Sequence, residues 1–149
     1  MAKSKLEVAS QIAVVVIALS ALVVSVWQMQ ATQKHNRLSV RPFIDYHIVQ
    51  NRDTTLSVLF SNEGLGPALI QKITYSYENQ SYDHLGKLLN AMGIRKEVIS
   101  MFNYDPNTVV SNDDQMLLLK LMGTDHRDVT VRIEYRCIYE EEFSITFGF

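Results

Sequence analysis

Residues Val8 to Gln33 make a run of 26 without one charged side chain. Its inner part, IAVVVIALSALVVSVW from Ile12 to Trp27, has Ser20 and Ser25 as its only polar residues. An α-helix rises about 1.5 Å per residue, so about 20 apolar residues cross a hydrocarbon core of about 30 Å. The run is long enough, and it lacks the polar stripe of a helix lying against a soluble core. Trp27 stands at its end, where an indole favours the headgroup layer. Valine and isoleucine are middling helix formers in water, but in lipid a single segment satisfies its backbone only as a helix. A cleavable leader would need a small-x-small site after the apolar run. Trp27-Gln28-Met29-Gln30-Ala31 offers none, and Glu7 is out of place in a leader's basic start. The expectation is a tail and transmembrane helix over residues 1–33, with the span at about 9–28.

Basic residues flank the span almost evenly. Lys3 and Lys5 precede it, while Lys34, Arg37 and Arg41 follow it with His35 among them. The positive-inside rule leans towards a cytoplasmic C-terminal side. A single cysteine, Cys137, excludes an internal disulfide framework and leans the same way. Within the span, Ala18, Ala21 and Ser25 recur at a spacing of three and four, on one helix face. Small faces let transmembrane helices approach closely, which makes these residues the candidate surface for self-association.

Residues 34–41, KHNRLSVR, form a basic collar, read as a topology determinant at the bilayer surface. Pro42 pushes Arg41 out of the helical region and starts an extended segment. From Pro42 to Phe149 the chain carries nine Lys/Arg and fifteen Asp/Glu, a net charge of −6. Such an acidic domain does not wrap nucleic acid through its backbone charge. A local basic pocket for a small nucleotide stays compatible with it.

Strand signals dominate residues 42–149. Leu56, Val58 and Phe60 alternate with Ser57, Leu59 and Ser61. Ile73, Tyr75 and Tyr77 follow the same period, as do Val129 to Cys137 and Phe143 to Phe149. Period two with one apolar face marks half-buried strands. Weaker strands are expected at Phe43–Val49 and Gln115–Met122, with a hairpin turn at Glu140-Glu141-Glu142. Between Tyr82 and Tyr104 the period changes: Leu85, Leu88, Leu89 and Met92 predict a helix stopped by Gly93, and Val98, Ile99 and Phe102 predict a second short one. The fold expected is mainly β: a transmembrane helix, then an antiparallel, immunoglobulin-like β-sandwich with a short helical insertion. Tyr135, two residues before Cys137, resembles the tyrosine corner of that class.

Asn62 to Ala68 reads NEGLGPA. Two glycines and a proline in seven residues demand a specific turn between strands. Asn62 is expected to bond the loop's own backbone, Gly64 and Gly66 to take positive φ, and Pro67 to stiffen the exit. The loop is therefore read as structural rather than as a binding site.

The collar QKHNRLSVRP at residues 33–42 and this loop together resemble a group of small bacterial single-pass membrane proteins. These carry an H-N-R-x-S-V-x-P juxtamembrane collar and an N-x-G-x-G-P-A loop in a β-domain. The resemblance implies layout and a bacterial inner-membrane location, and no chemistry.

No catalytic, cofactor or metal site emerges. His47, His84 and His126 lack the spacing of a metal-binding helix. Asp113-Asp114 and Asp125-His126-Arg127-Asp128 read as solvated loops. NEGLGPA leads into a strand, not into the helix a phosphate loop requires, and no serine sits in a nucleophile elbow. Two functions fit. The first is a non-enzymatic accessory module that holds a partner protein at the membrane, with a sheet edge or the helical insertion left exposed for pairing. The alternative is an oligomeric, ligand-gated effector of the kind used in stress and anti-phage responses, sensing a nucleotide through Arg95, Lys96, Arg132 and Arg136. The span lacks strongly polar pore-lining residues, which favours the module.

Overall fold

A computed structural model describes residues 5–51, 54–123 and 128–149. Asp125, His126 and Arg127 of the expected polar loop, and Lys3 ahead of the span, lie outside the described residues. The chain divides into two compact units, Met1–Leu38 and Ser39–Phe149.

The first unit is helical. Helix α1 runs Lys5–Ser39, so the basic collar continues the helix for six residues beyond Gln33. Its 35 residues extend about 52 Å. The helix is long and apolar enough to cross a membrane, and none of its apolar window is buried against protein. The apolar side chains surround the axis instead of forming a stripe, as a lipid-facing helix requires. Ser20 Oγ donates back to the Val16 carbonyl at 2.8 Å, so that hydroxyl needs no outside partner. Ala18, Ala21 and Ser25 are all exposed.

The second unit is built of antiparallel strands. They are β1 (Ile44–Asn51), β2 (Thr55–Asn62), β3 (Ala68–Tyr77), β4 (Gln80–Tyr82), β5 (Val98–Met101), β6 (Val109–Val110), β7 (Gln115–Met122), β8 (Thr130–Arg136) and β9 (Glu142–Gly148). One sheet has the order β1-β2-β7-β5; the other has β4-β3-β8-β9, with β6 also on β3. Ile44, Val58, Phe60 and Leu119 from the first sheet and Ile70, Ile73, Val131 and Ile133 from the second share one core. Helix α2 (Leu85–Ala91) adds Leu85, Leu88 and Leu89 to that core, and Gly93 beyond it has φ +72°, the left-handed value of a helix stop.

Bulges explain where alternation was hard to read. In β3 the inward residues are Ala68 and Ile70, then Ile73 and Tyr75. Gln71 is an extra residue opposite β8 that shifts the phase by one. In β7 Leu118 is extra between the pairs Val58–Leu119 and Leu59–Leu117, so two consecutive leucines are buried. The same device corrects the second expected helix. Only Arg95–Glu97 forms one 3-10 turn, and Val98–Met101 is β5. A bulge at Ile99 points Val98 and Met101 at the core and leaves Ile99 and Phe102 about half exposed, so the helical spacing of Val98, Ile99 and Phe102 is not one buried face.

NEGLGPA needs a second correction. Neither Gly64 nor Gly66 has positive φ; Gly93 and Gly123 are the described glycines that do. The requirement is close approach. A Cβ on Gly64 would strike the Phe43 nitrogen and come within 2.6 Å of the Arg41 carbonyl oxygen. A Cβ on Gly66 would strike the Val40 carbonyl. The loop lies flat on the strand-like segment that follows α1, and only hydrogen fits between the two backbones.

Asn62 holds this junction. Its side chain is fully buried and all four amide positions are used. Oδ1 accepts from the Phe43 and Gly64 N–H groups, both at 3.1 Å. Nδ2 donates to the Gly66 and Val110 carbonyls at 2.8 and 3.0 Å. Its backbone N–H donates to the Asp114 carbonyl, and its carbonyl accepts from Asp113. Tyr135 is not a tyrosine corner. Its hydroxyl accepts from the Ile44 N–H at 3.4 Å, linking the two sheets across 91 positions of chain.

Asn62→Ala strips partners from three buried backbone groups and the part-buried Phe43 N–H, and a buried one left unsatisfied costs about 1–3 kcal/mol. We expect the β-domain of the full chain to lose at least about 3 kcal/mol in denaturant unfolding. Gly66→Ala, which forces two backbones apart, should cost about 1–3 kcal/mol. Unchanged stability with activity lost in cells would make the loop a binding site instead.

Candidate functional site

The four candidate cations do not converge. Arg95 and Lys96 form the turn before β5, at the outer strand of the first sheet. Arg132 and Arg136 lie on β8 in the second sheet, both on its outward side, since Val131, Ile133 and Tyr135 point inward. The pairs are also engaged locally. Arg132 Nε meets Glu134 Oε1 at 2.9 Å, Arg136 donates to Asn107 Oδ1 at 3.3 Å, and Arg95 donates to Asn90 Oδ1 at 3.1 Å. The shallow hollow beside Arg132 is also lined by Glu134 and Glu142, which oppose an anion.

The hairpin of β1 and β2 brings together three residues that sequence reading left scattered. His47 Nε2 lies 3.0 Å from Ser61 Oγ, and Ser61 donates to Glu63 Oε1 at 2.6 Å. Glu63 Oε1 is 3.8 Å from the same His47 nitrogen. This is a hydrogen-bond chain rather than a nucleophilic relay. Serine gives its proton to the carboxylate, histidine is not held between acid and serine, and Ser61 is only 3% exposed. The signal was the strand register, in which Asp45 opposes Ser61 and His47 sits two residues on. Among the described residues, no three or more His, Cys, Asp or Glu side chains are grouped to hold a metal ion. Cys137 is buried in the turn between β8 and β9, where its sulfur lies 3.3 Å from the Tyr139 nitrogen.

A hollow of about 230 Å³ opens where β3 meets the segment after β5, lined by Tyr75, Asp83, His84, Asn103, Tyr104 and Asp105 among others. Asn103 Oδ1 accepts from the Leu85 N–H and so fixes the start of α2. Lys87 donates to Asp83 at 2.8 Å and holds its carboxyl below the ordinary range. Tyr104 donates to the Leu117 carbonyl at 2.7 Å and sets its ring edge-on to Phe60. Burial raises the Tyr104 hydroxyl above its ordinary range. Tyr75 is raised further, by burial first and by the neighbouring Tyr104 second.

Strand β5 presents an apolar sheet edge. It ends the order of its sheet, so one side of its backbone is an edge. Ile99 and Phe102 are about half exposed there. The bulge at Ile99 twists the strand, and the Phe102 N–H is spent on the Leu118 carbonyl. What remains is a short apolar edge next to the helical insertion.

The raised tyrosines give an alkaline limit. In the unfolded chain a tyrosine loses its proton near about pH 10. A folded pKa above that means the native state holds the proton longer, so its contribution is full below about pH 10 and is lost as pH rises. We expect stability to fall as pH rises above about 10, and Tyr75→Phe to make that fall shallower. An equal slope in the variant would contradict the assignment to Tyr75.

A search of curated proteins finds no match to the chain. Residues 8–148 match one family profile, described as a domain of unknown function, DUF8453, and the match takes in the apolar helix and the β-domain together. The chain belongs to the DUF8453 family.

Proposed function

We propose that the chain is a non-enzymatic accessory module that holds a partner protein at the bacterial inner membrane. Helix α1 is its anchor, and the β-domain lies on the cytoplasmic side. The observation that carries this reading is the β5 edge, where Ile99 and Phe102 leave an apolar, partly unpaired strand beside the insertion. Peptides and partner strands add to such edges through main-chain hydrogen bonds, with side-chain pockets supplying selectivity. The HNRLSVRP collar and NEGLGPA loop support membership of the bacterial single-pass group, and three basic residues after the span support the cytoplasmic side.

The β-domain also fits an immunoglobulin-like sandwich. Strands β1, β2, β7 and β5 take the places of A, B, E and D, and β4, β3, β8 and β9 those of C′, C, F and G. The fold class does not itself specify a partner.

A second reading, the nucleotide-gated effector, is favoured by one observation. Ala18, Ala21 and Ser25 are exposed along α1 and offer a small face for helix contact. The dispersed cations weigh against its ligand site.

The test is photo-crosslinking in cells from residue 99 or 102 of the full chain, with residue 74 on the outward side of β3 as control. We expect one discrete heteromeric adduct from 99 and 102 and none from 74. Ala21→Leu should leave both the adduct and the membrane level unchanged, since an anchor tolerates any apolar side chain. Self-adducts alone, or loss of function in Ala21→Leu at normal membrane level, would replace the module with the effector.

A further inference from the structure

Five of the exposed large apolar residues of the β-domain gather at one of its ends. The strand registers define that end. Ile44 pairs with Asn62, Ala68 with Val110, Leu69 with Arg136 and Arg136 with Glu142. The loop 63–67 passes from one sheet to the other there, and Asn62 bonds both sides of the crossing. Phe43 at the start of β1, Leu65 in the loop, Val109 on β6, and Ile138 and Tyr139 in the β8–β9 turn all project from this end. Phe43 is 59%, Leu65 73% and Ile138 54% exposed.

Folding does not account for these side chains. Turn tips ordinarily carry Gly, Asn, Asp or Ser. Leu65 sits instead between two glycines whose lack of a Cβ lets the loop press on residues 40–43. That packing holds the loop in place and leaves Leu65 outward. Phe43 is held by its backbone on both sides, donating to Asn62 and accepting from Glu63. Both leave an apolar side chain in water by construction.

The chain itself says what faces them. Only four residues, Val40 to Phe43, join the end of α1 to β1. Fully extended they reach about 14 Å, and the helix beyond the span, from Gln28 to Ser39, adds about 16 Å. This is therefore the end of the domain that the chain joins to α1, and strands of eight residues put the opposite end, at Thr54 and Met122, about 26 Å away from it. We propose that the tips at Leu65 and Ile138, flanked by Phe43, Val109 and Tyr139, insert into the headgroup layer and dock the β-domain on the membrane surface. The proposal rests on α1 crossing that membrane. Glu63 and Glu140 stand beside the tips, so the contact is apolar and needs no anionic lipid, and it should persist in high salt.

The test uses the full chain in phosphatidylcholine vesicles. A nitroxide is placed by cysteine substitution at residue 65, 138, 122 or 17 in a Cys137→Ala background, and its accessibilities to oxygen and to a water-soluble nickel chelate are compared. We expect the label at 17 deep in hydrocarbon, those at 65 and 138 at the interface, and that at 122 in water. Leu65→Trp in a Trp27→Phe chain that keeps Cys137 gives an independent reading, through quenching by lipids brominated near the headgroup. Labels at 65 and 138 matching that at 122, with 17 still deep, would overturn the docking while leaving the anchor intact. A label at 17 in water would overturn both. Labels at 65 and 138 shielded from oxygen and nickel alike would mean that protein, such as a second copy, covers the tips, and would also overturn the proposal.

Discussion

The β-domain depends on one side chain, the carboxamide of Asn62. It offers two acceptor positions on its oxygen and two donors in fixed geometry, and every position is taken. The two N–H partners lie on one side and the two carbonyls on the other, so the amide's orientation follows from its neighbours. Three stretches of chain meet through it, the segment after α1, the glycine loop and β6, and the Asn62 backbone adds the Asp113-Asp114 turn. A buried polar group this completely satisfied specifies one arrangement, because any shift of the loop leaves a bond unmade in a dry place.

That junction sets what the rest of the molecule can present. With the crossing fixed, β1 and β9 are brought side by side, and Tyr46 stacks on Phe147 at 4.4 Å between centroids. Arg41 covers the ring of Phe143 at 4.8 Å, so part of the basic collar serves packing as well as charge. The remaining freedom lies at the edges. Bulges at Leu118, Gln71 and Ile99 bend three strand pairs, and the last of these shapes the short edge at β5. The two units differ in kind: α1 carries apolar surface on all sides, and the β-domain carries a packed core of two sheets.

The sequence made the architecture legible where physics is local. A charge-free run of membrane length, and strands such as Val131–Ile133–Tyr135 with strict alternation, announce themselves. Legibility fails where a long-range partner changes the local rule. Val98, Ile99 and Phe102 have helical spacing, yet a bulge against β7 turns Val98 inward and leaves the other two about half exposed. Gly64 and Gly66 look like positive-φ turn residues, yet their need is set by the backbone of Val40 to Phe43, which no local pattern reveals. His47, Ser61 and Glu63 meet only once the hairpin register is known. The candidate cations show the converse error: shared charge did not mean shared space, since Arg95 lies in the turn before β5 of one sheet and Arg132 on β8 of the other.

The account stands on Asn62 as a fold-determining tie, and native-state hydrogen exchange reads that tie directly. The Phe43 and Gly64 amides donate to its side chain and belong to no ladder, so their protection reports the junction and little else. If the junction organises the domain, both amides exchange only through global unfolding, at the rate of the core amides of β2 and β8. Exchange of Phe43 and Gly64 through local opening, well ahead of those strands, would show that the domain stands without the junction and would contradict the account.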